Sequence, residues 1–587
     1  MNSIKQFLFI LNKEEKLNLF YLFILMIIGM FLETLSVGLV IPLINIILQL
    51  DNTSYLFFIN SLPIISDNDQ FQVSADDTLT IYMIALGGLI FVFGMKFIFL
   101  TYLYWKQFGF VFTLQRDISQ KMYETYMSLD YSSYLKTNSS KFIKNVNYEV
   151  GSFSAVISQS IQFLIDLLTC IGIVALLLYY QPIGALTIFV SVGIPVYLFY
   201  SFTKKRLGIK GKEREFHEDQ RIHYIQSGIG AVKDIRVLKR EKGFFDLYYI
   251  HNSKQASAEH YRSFLASIPK QFLEFFSLIA LVFLIFILFN QGTEPASMVA
   301  ALSVFAAGAF RILPSLSRMM NGLQLIKFYK PSINIIYDES HKFGQRRLSS
   351  TDRKMKFQNN ILIRNLSFSY QSQSVKTIND ISFKINKGEI IGICGKSGSG
   401  KSTFINVFLG LLNSTDGKIL VDDISIEDNM LEWQNMIGLV SQNIFLVNDS
   451  ILANITIGIP KNEIDQAKLE KSLKLSSVNE LIKTLPDQLE TLVGERGIRL
   501  SGGQMQRIAI ARALYNDPEI IIFDEATNAL DGDSEKDILD SIRLLKGKKT
   551  IIMISHKIEN FLDFDKIYMF ENGSIVASGK YSELFNK

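Results

Sequence analysis

The first 325 residues contain six long runs of apolar side chains, and each run is long enough to cross a lipid bilayer. About 20 helical residues span the roughly 30 Å of hydrocarbon, because each residue adds about 1.5 Å. The runs lie at about 19–49, 79–105, 155–180, 182–203, 263–290 and 297–325. Helices buried in a soluble protein are the alternative, but such helices seldom stay apolar over these lengths. The pattern predicts a multi-pass α-helical membrane domain over 1–325.

The charges between these runs predict how the membrane domain is oriented. Lys and Arg are retained on the cytoplasmic side of a membrane. Residues 51–78 contain no Lys or Arg but five Asp, whereas 106–154 carry six basic residues and 204–262 carry fourteen. We therefore expect 51–78 to face outward, and the two basic segments and both termini to be cytoplasmic.

The two basic segments are 49 and 59 residues long, which is too long for simple connections between neighbouring helices. If the helices continue beyond the membrane, they extend roughly 30 Å into the cytoplasm before the chain turns back. Turns are expected at 129–134 and 226–231, each carrying a short helix. A solvated basic loop is the alternative interpretation of both segments.

Beyond residue 355 the long apolar runs give way to short ones of four to six residues, which predict buried strands alternating with helices. Residues 1–355 carry 34 basic and 26 acidic side chains, and 356–587 carry 26 and 30. The chain thus divides into a basic membrane domain, a linker at 326–355 and an acidic α/β domain at 356–587. The apolar content excludes disorder, two cysteines exclude a disulfide scaffold, and the absence of a basic stripe argues against nucleic acid as a partner.

A phosphate-binding loop stands between the predicted strand at 390–394 and an apolar helix. The strand runs into the G-x-x-x-x-G-K-[ST] sequence, which comprises Gly395, Lys396, Ser397, Gly398, Ser399, Gly400, Lys401, Ser402 and Thr403. Its backbone N–H groups and the following helix N-terminus suit the phosphates of ATP. Lys401 is predicted to reach the β- and γ-phosphates, and Ser402 to bind Mg²⁺.

Two further predicted strands end in side chains suited to phosphate hydrolysis. The strand at 519–523 runs into Asp524, a candidate Mg²⁺ ligand, and Glu525, a candidate base for the attacking water. The strand at 550–555 delivers His556, which we expect to contact the γ-phosphate. A turn with two acids and a structural histidine are the alternative interpretations.

Between these elements the chain resembles ATP-binding cassette proteins. Leu500 and the following Ser501, Gly502, Gly503 and Gln504 resemble the signature motif of that family. The resemblance covers essentially all of 356–587. It implies that Tyr370, 25 residues before Gly395, stacks on adenine. It also implies that Gln442 binds Mg²⁺, links it to the membrane domain and takes part in catalysis. Together with Glu525 and His556, these residues describe an ATP hydrolase.

The resemblance also implies a second copy of the chain, because the signature of one cassette closes over the ATP held by another. Six spans before a single cassette are similar to a half-transporter of the exporter class. The expected assembly is a homodimer with two equivalent sites, although a heterodimer with a degenerate partner stays open. The turns of the inner segments would then be coupling helices.

Charged residues inside the predicted spans are costly in lipid and are candidates for substrate contact. Arg311 and Arg318 lie seven residues, or about two turns, apart on one face of the sixth span. Lys96 and Lys270 add to this basic set, and Glu33, Asp166 and Glu274 are possible partners. Ion pairing within the membrane and contact with an anionic headgroup are the two interpretations.

The amino-terminal half carries a narrower resemblance, through 7–11, 31–42 and 311–315, to bacterial flippases that turn over lipid-linked oligosaccharides for protein N-glycosylation. It implies an inner-membrane protein whose substrate is a polyprenyl-pyrophosphate glycan, with its pyrophosphate on arginines such as Arg311 and Arg318. A broad lipid, drug or peptide exporter is the main alternative. A receptor or regulated channel on the same scaffold is another.

Overall fold

A computed structural model describes residues 3–39, 78–180, 182–343, 355–370, 375–526 and 532–585. The chain divides into two compact units. One comprises 1–129 and 137–345, and the other comprises 130–136 and 346–587. The expected outer segment up to residue 77, and the part of the first span beyond residue 39, lie outside the described residues.

The first unit is helical, and within its described residues six helices are long and apolar enough to cross a membrane. Hydrocarbon favours helices because they satisfy their own backbone hydrogen bonds. The helices are α1 (Ser3–Ile10), α2 (Lys13–Gly38), α3 (Thr78–Met127), α5 (Ser139–Lys144), α6 (Val150–Tyr180), α7 (Pro182–Ile188), α8 (Ile194–Gly230), α9 (Val232–Val237), α10 (Glu241–Asn290), α11 (Pro295–Phe328) and α12 (Lys330–Ser340). Two π-helical segments, Asn145–Glu149 and Phe189–Gly193, precede α6 and α8.

The inner segments are continuations of the membrane helices and not solvated loops. Helices α3 and α10 each run for 50 residues, which is about 75 Å at the helical rise. The first turn carries the short helix α4 (Tyr131–Lys136), as expected. The second turn comes later than expected, because α8 stays helical through Gly230 and the short helix is α9. Most of the expected turn at 226–231, including Gly228 and Gly230, therefore belongs to the last turns of α8.

A buried cluster of charged side chains joins three of the helical segments of the first unit. Glu149 and Arg214 are almost completely buried, with Arg214 Nη2 lying 3.4 Å from Glu149 Oε2 and 3.2 Å from Ser332 Oγ. Ser332 also donates to Glu149. Buried Lys144 pairs with Glu215 at 2.7 Å. Because breaking a buried pair leaves an uncompensated charge, these contacts fix α12 against the inner parts of α6 and α8.

The second unit is an α/β cassette with two sheets. Its strands are β1 (Asn360–Phe368), β2 (Ile378–Asn386), β3 (Ile390–Gly395), β4 (Asp416–Val421), β5 (Ile424–Ser425), β6 (Ile437–Val440), β7 (Ile520–Asp524), β8 (Thr550–Ile554), β9 (Lys566–Glu571) and β10 (Ser574–Gly579). Its helices are α13 (Lys401–Phe408), α14 (Met430–Asn435), α15 (Ile451–Ile455), α16 (Gln466–Leu475), α17 (Val478–Lys483), α18 (Gly502–Tyr515), α19 (Gly532–Leu544) and α20 (Tyr581–Phe585). Residues 130–136 group with this unit, and Tyr131 packs against its main hydrophobic core.

The larger sheet has the order β10-β9-β3-β8-β7-β6. Strands β9, β3, β8, β7 and β6 are parallel to one another, and the edge strand β10 is antiparallel to β9. Its central strands are buried over almost their whole length, as expected for a parallel sheet covered on both faces. The smaller sheet, β2-β1-β4-β5, is antiparallel. The parallel register brings the carboxyl ends of β3, β8, β7 and β6 to one edge.

One carboxylate secures the entry of the chain into the cassette. Asp422 follows β4, and its two oxygens accept N–H bonds from Gln358, Asn359 and Asn360 at 2.5–3.2 Å. Burial acts to raise the pKa of Asp422, but these backbone hydrogen bonds outweigh it and hold the pKa below its usual value. Asp422 therefore anchors the segment before β1 while it is ionised.

We expect Asp422→Ala to destabilise the cassette by about 1–3 kcal/mol, because three N–H groups lose a charged acceptor. Thermal unfolding of the purified protein measures the change. Asp423→Ala is the matched control, since residue 423 also has positive φ but its side chain makes none of these bonds. Equal losses in both variants would assign the effect to backbone conformation and contradict the prediction.

Candidate functional site

The carboxyl ends of the parallel strands bring the predicted nucleotide-site residues together. The phosphate loop follows β3. Asp524 is the last residue of β7, Glu525 comes directly after it, and His556 lies two residues beyond the end of β8. Gln442 follows β6, the next strand of the sheet. Open parallel sheets bind ligands at this edge. Four segments that are distant in sequence therefore form one site.

The phosphate loop has a backbone that only glycine accommodates easily. Gly400 has φ 100°, and a Cβ atom there would approach the Thr377 carbonyl oxygen to 2.8 Å. A Cβ at Gly395 would collide with the Phe570 carbonyl. At the tip of the loop, residues 396–398 are exposed, whereas Ser399 is buried. The loop thus presents exposed backbone, immediately before α13, whose N–H groups can bind the phosphates of a nucleotide.

Lys401 is the first residue of α13 and bends back over the loop. Its Nζ donates to the carbonyl oxygens of Gly395 and Lys396 at 2.8 and 2.9 Å. Burial lowers the pKa of Lys401, although the carboxylates of Glu525 and Asp524 partly oppose this. Ser402 and Thr403 follow in the first turn of the same helix. The Lys401 ammonium is therefore held at the loop, where we predict that it reaches the phosphates of ATP.

Glu525 is held between the other two predicted catalytic side chains. Its Oε2 accepts a hydrogen bond from Gln442 Nε2 at 2.7 Å, and its Oε1 lies 2.7 Å from His556 Nε2. Glu525 also has φ 49°, an uncommon conformation for this residue type. The three side chains form one cluster, so the structure brings together what the sequence placed on three separate strands.

Asp524 has the character of a metal ligand. Its Oδ1 is buried and has no hydrogen-bond partner among the described residues. Burial raises the pKa of Asp524, as does the charge of Glu525, while Lys401 acts in the opposite direction. A buried carboxylate oxygen without a hydrogen-bond donor suits a hard cation such as Mg²⁺.

The signature residues start a helix, and the predicted adenine contact follows a strand. Ser501 caps α18, with Gln504 completing a reciprocal capping box, and Gly502 and Gly503 form the first turn. Ser501 is exposed. Tyr370 stands just beyond β1, edge-on to Phe368, with 4.9 Å between ring centroids. The Phe368 carbonyl accepts a hydrogen bond from the Thr377 N–H, and the Thr377 carbonyl lies where a Cβ on Gly400 would meet it. This strand end therefore borders the phosphate loop.

In the membrane domain, three of the four predicted basic residues pair with carboxylates. Glu33 pairs with both Lys96, at 2.9 Å, and Arg311. Arg318 contacts Asp166 through Nε and Nη2 at 2.5–3.1 Å. The fourth residue, Lys270, lies on the exposed surface of α10 next to Pro269. Three cations thus share two carboxylates, and their role toward substrate stays a prediction.

A cavity of about 520 Å³ adjoins Arg318. It is lined by Tyr104, Phe108, Gln159, Gln162, Arg318 and Asn321. Gln162 also donates to Asp166 at 3.0 Å. The two glutamines and Asn321 were not singled out from sequence. The sequence feature that could have identified them is a pair of polar residues three positions apart within an apolar run, at 159 and 162 and again at 318 and 321. Residues at this spacing share one face of a helix.

Comparison with known proteins supports the assignment of both units. Residues 378–528 match the sequence family described as ABC transporter. Several relatives are ATP-dependent lipid A-core flippases. That of Burkholderia orbicola is 29% identical over 479 residues, which cover 80% of this chain and 78% of the relative. That of Pseudoalteromonas translucida is 43% identical over 226 residues, which cover 38% and 39%.

A bacterial Atm1-family ABC exporter solved with ATP bound has a similar fold. It aligns with a TM-score of 0.77 and 17% identity, over 97% of this chain and 96% of the other. The chain therefore joins six membrane helices of the exporter type to an ATP-binding cassette, and it is an ATPase coupled to transport. The relatives named above are described as lipid A-core flippases, so they support the lipid-exporter alternative better than an oligosaccharide flippase of protein N-glycosylation.

We expect Glu525→Gln to lower ATP hydrolysis about 100- to 10,000-fold, because an amide cannot accept the proton of the attacking water. Phosphate release and equilibrium binding of ATP, measured on the same preparation, separate the two steps. Binding should be retained, since Lys401 and the loop are unchanged. Glu519→Gln is the control, because Glu519 precedes the same strand and pairs with Lys387 away from the site. Hydrolysis that survives in Glu525→Gln would contradict this role.

Proposed function

We propose that the protein is an ATP-driven flippase for a lipid whose headgroup carries both phosphate and sugar. The observation that carries this proposal is the excess of positive charge inside the membrane domain. Among the described residues, the carboxylates that pair with Lys96, Arg311 and Arg318 are those of Glu33 and Asp166. Placing charged side chains within a membrane costs free energy, and such side chains usually bind substrates or ions. An anionic headgroup would balance the excess.

The cavity beside Arg318 supports the same substrate class. Its glutamine, asparagine and tyrosine side chains can form hydrogen bonds with sugar hydroxyls. The Arg318 guanidinium can donate two parallel hydrogen bonds to a phosphate. Phe108 and the apolar helix surfaces suit the lipid part. A drug exporter would not require this combination of a cation and amides.

The relatives favour a phosphorylated glycolipid over a polyprenyl-pyrophosphate glycan. Lipid A-core flippases are among the relatives that align over most of the chain. The polyprenyl-pyrophosphate glycan stays the second candidate, because Arg311 and Arg318 lie about two turns apart on α11 and could hold two linked phosphates. Both substrates share an acidic, sugar-bearing headgroup.

We propose that two copies of the chain work together in the bacterial inner membrane, with both termini and the cassettes in the cytoplasm. Each chain supplies one phosphate loop and one signature helix. Exposed Ser501 would add a hydroxyl donor to ATP held by the other copy. Mg²⁺ would be held by Ser402, Gln442 and Asp524 and would neutralise phosphate charge.

Within each proposed site, different residues of this chain bind ATP and hydrolyse it. Lys401 and the loop N–H groups hold the phosphates, and Tyr370 stacks on adenine. Glu525 orients the attacking water and accepts its proton, while His556 and Gln442 hold the Glu525 carboxylate at 2.7 Å from each side. Closure of two cassettes on ATP would be transmitted through α4 and α9 at the inner turns.

The substrate proposal is tested by removing the Arg318 pair without leaving a lone charge. The double variant Arg318→Gln with Asp166→Asn keeps the net charge and avoids an uncompensated buried carboxylate. We expect ATP-dependent inversion of a fluorescent phosphorylated glycolipid in proteoliposomes to fall about tenfold or more. Basal ATP hydrolysis should stay within about twofold, because the cassette is untouched.

Lys327→Gln, on the same helix but outside the ion pairs, is the matched control and should transport normally. Fluorescent polyprenyl-pyrophosphate sugar and phosphatidylcholine are assayed in parallel. Faster inversion of the polyprenyl lipid would favour the second candidate. Equal inversion of all three lipids, or full activity of the double variant, would contradict the proposed substrate class and indicate a broad exporter.

The two-copy arrangement is tested by mixing chains with different defects. Lys401→Ala removes the phosphate contact, and Ser501→Arg blocks the signature, so each chain alone should be inactive. If signature and loop come from different copies, mixed dimers contain one intact site. We then expect roughly a quarter of wild-type hydrolysis when the chains are co-expressed in equal amounts. Hydrolysis that stays at the level of the single variants would contradict sharing of sites.

A further inference from the structure

We propose that a groove between α2 and α3 binds the headgroup of an inner-leaflet phospholipid that carries a primary ammonium. The groove encloses about 420 Å³ and belongs entirely to the first unit. Its lining combines polar residues with Leu22, Phe110 and Leu114. The site is separate from the ion pairs of Arg311 and Arg318, so the inference holds whatever lipid the protein transports.

The position of the groove along both helices matches the level of lipid headgroups. On α2 it is lined by 15, 18, 21 and 22, where the charged first turn gives way to the apolar run. On α3 it begins at Trp105 and Lys106, where the apolar run of 79–105 ends. Trp and Tyr collect at this boundary in membrane proteins because their rings are amphipathic. Both walls therefore meet the polar edge of the bilayer.

Lys106 provides the phosphate-binding side of the groove. Its Nζ lies over the rings of Trp105 and Tyr102, at 5.1 and 5.6 Å from their centroids. Tyr102 is in turn linked to Tyr21 by a hydroxyl contact of 3.1 Å. No carboxylate pairs with Lys106 in the part of the chain that the structure describes. The ammonium is thus positioned by aromatic rings and makes no ion pair among these residues.

Glu15 provides the opposite charge and an unused acceptor. The side chain is only 10% exposed. Its Oε2 accepts from the Asn12 N–H at 2.7 Å, whereas Oε1 makes no hydrogen bond and lies 4.0 Å from Lys121 Nζ. A buried carboxylate oxygen without a donor is costly. A ligand N–H group would satisfy it.

The two charges together select the ligand. A phosphate on Lys106 and an ammonium on Glu15 are the two ends of an ethanolamine phospholipid headgroup. A quaternary ammonium, as in phosphatidylcholine, has no N–H to donate to Glu15. Phosphatidylglycerol and free phosphate lack the ammonium and bring only negative charge toward a carboxylate. The apolar side chains of the groove then receive the glycerol end of the acyl chains.

The test uses Trp105 as a native probe. The chain has two tryptophans, and Trp433 is fully enclosed in the cassette, where it gives a constant background. Full-length protein is placed in phosphatidylcholine nanodiscs that contain increasing fractions of lipids brominated near the glycerol end. We expect half-maximal quenching of Trp105 at about tenfold lower mole fraction for phosphatidylethanolamine than for phosphatidylcholine or phosphatidylglycerol.

Glu15→Gln keeps the capping hydrogen bond to Asn12 but removes the charge, and it should bring the three lipids close to parity. Glu14→Gln makes the same change at the neighbouring exposed position and should retain the preference. Equal quenching by all three lipids in the wild type overturns the proposal. So does an unchanged preference in Glu15→Gln, or the loss of preference in both variants.

Discussion

A polar group taken out of water must find a partner, and this requirement shapes both units of the protein. In hydrocarbon it restricts the backbone to helices, since these pair their own N–H and C=O groups. It also restricts charged side chains, so Glu33 and Asp166 are each found with one or two cations. Inside the first unit, the cluster of Glu149, Arg214 and Ser332 follows the same rule. The helices are thus positioned by packing and by the pairing of a few charges.

The nucleotide site departs from this rule in a way that indicates a ligand. Asp524 keeps a buried oxygen without a donor, and Lys401 uses backbone carbonyls in place of a carboxylate partner. Glu525 is held in a strained conformation by contacts to two other strand ends. The surrounding strands are buried and regular, so they can hold these groups in place. In the proposed function, bound ATP and Mg²⁺ would supply the partners that these side chains lack.

Sequence reasoning predicted the cassette better than the membrane cavity. The phosphate loop, Asp524, Glu525 and His556 each followed an apolar run, and carboxyl ends of parallel strands meet at one edge, so their convergence could be expected. The direct contacts of Glu525 with Gln442 and His556 could not, because they depend on strand order. The second inner turn was placed too early, since glycine inside a long helix gives the same local signal as a turn.

The sequence by itself determined six membrane helices and an ATP-binding cassette, because these depend on local runs of residues and on motifs of fixed spacing. It left open whether the long inner segments are helices or solvated loops. Only the tertiary structure decided which charges face one another. Lys96 and Arg311 are 215 positions apart in the chain yet share Glu33, and the groove between α2 and α3 joins residues about 90 positions apart. Such pairings arise from the packing of whole helices, and nothing in the neighbouring sequence specifies them.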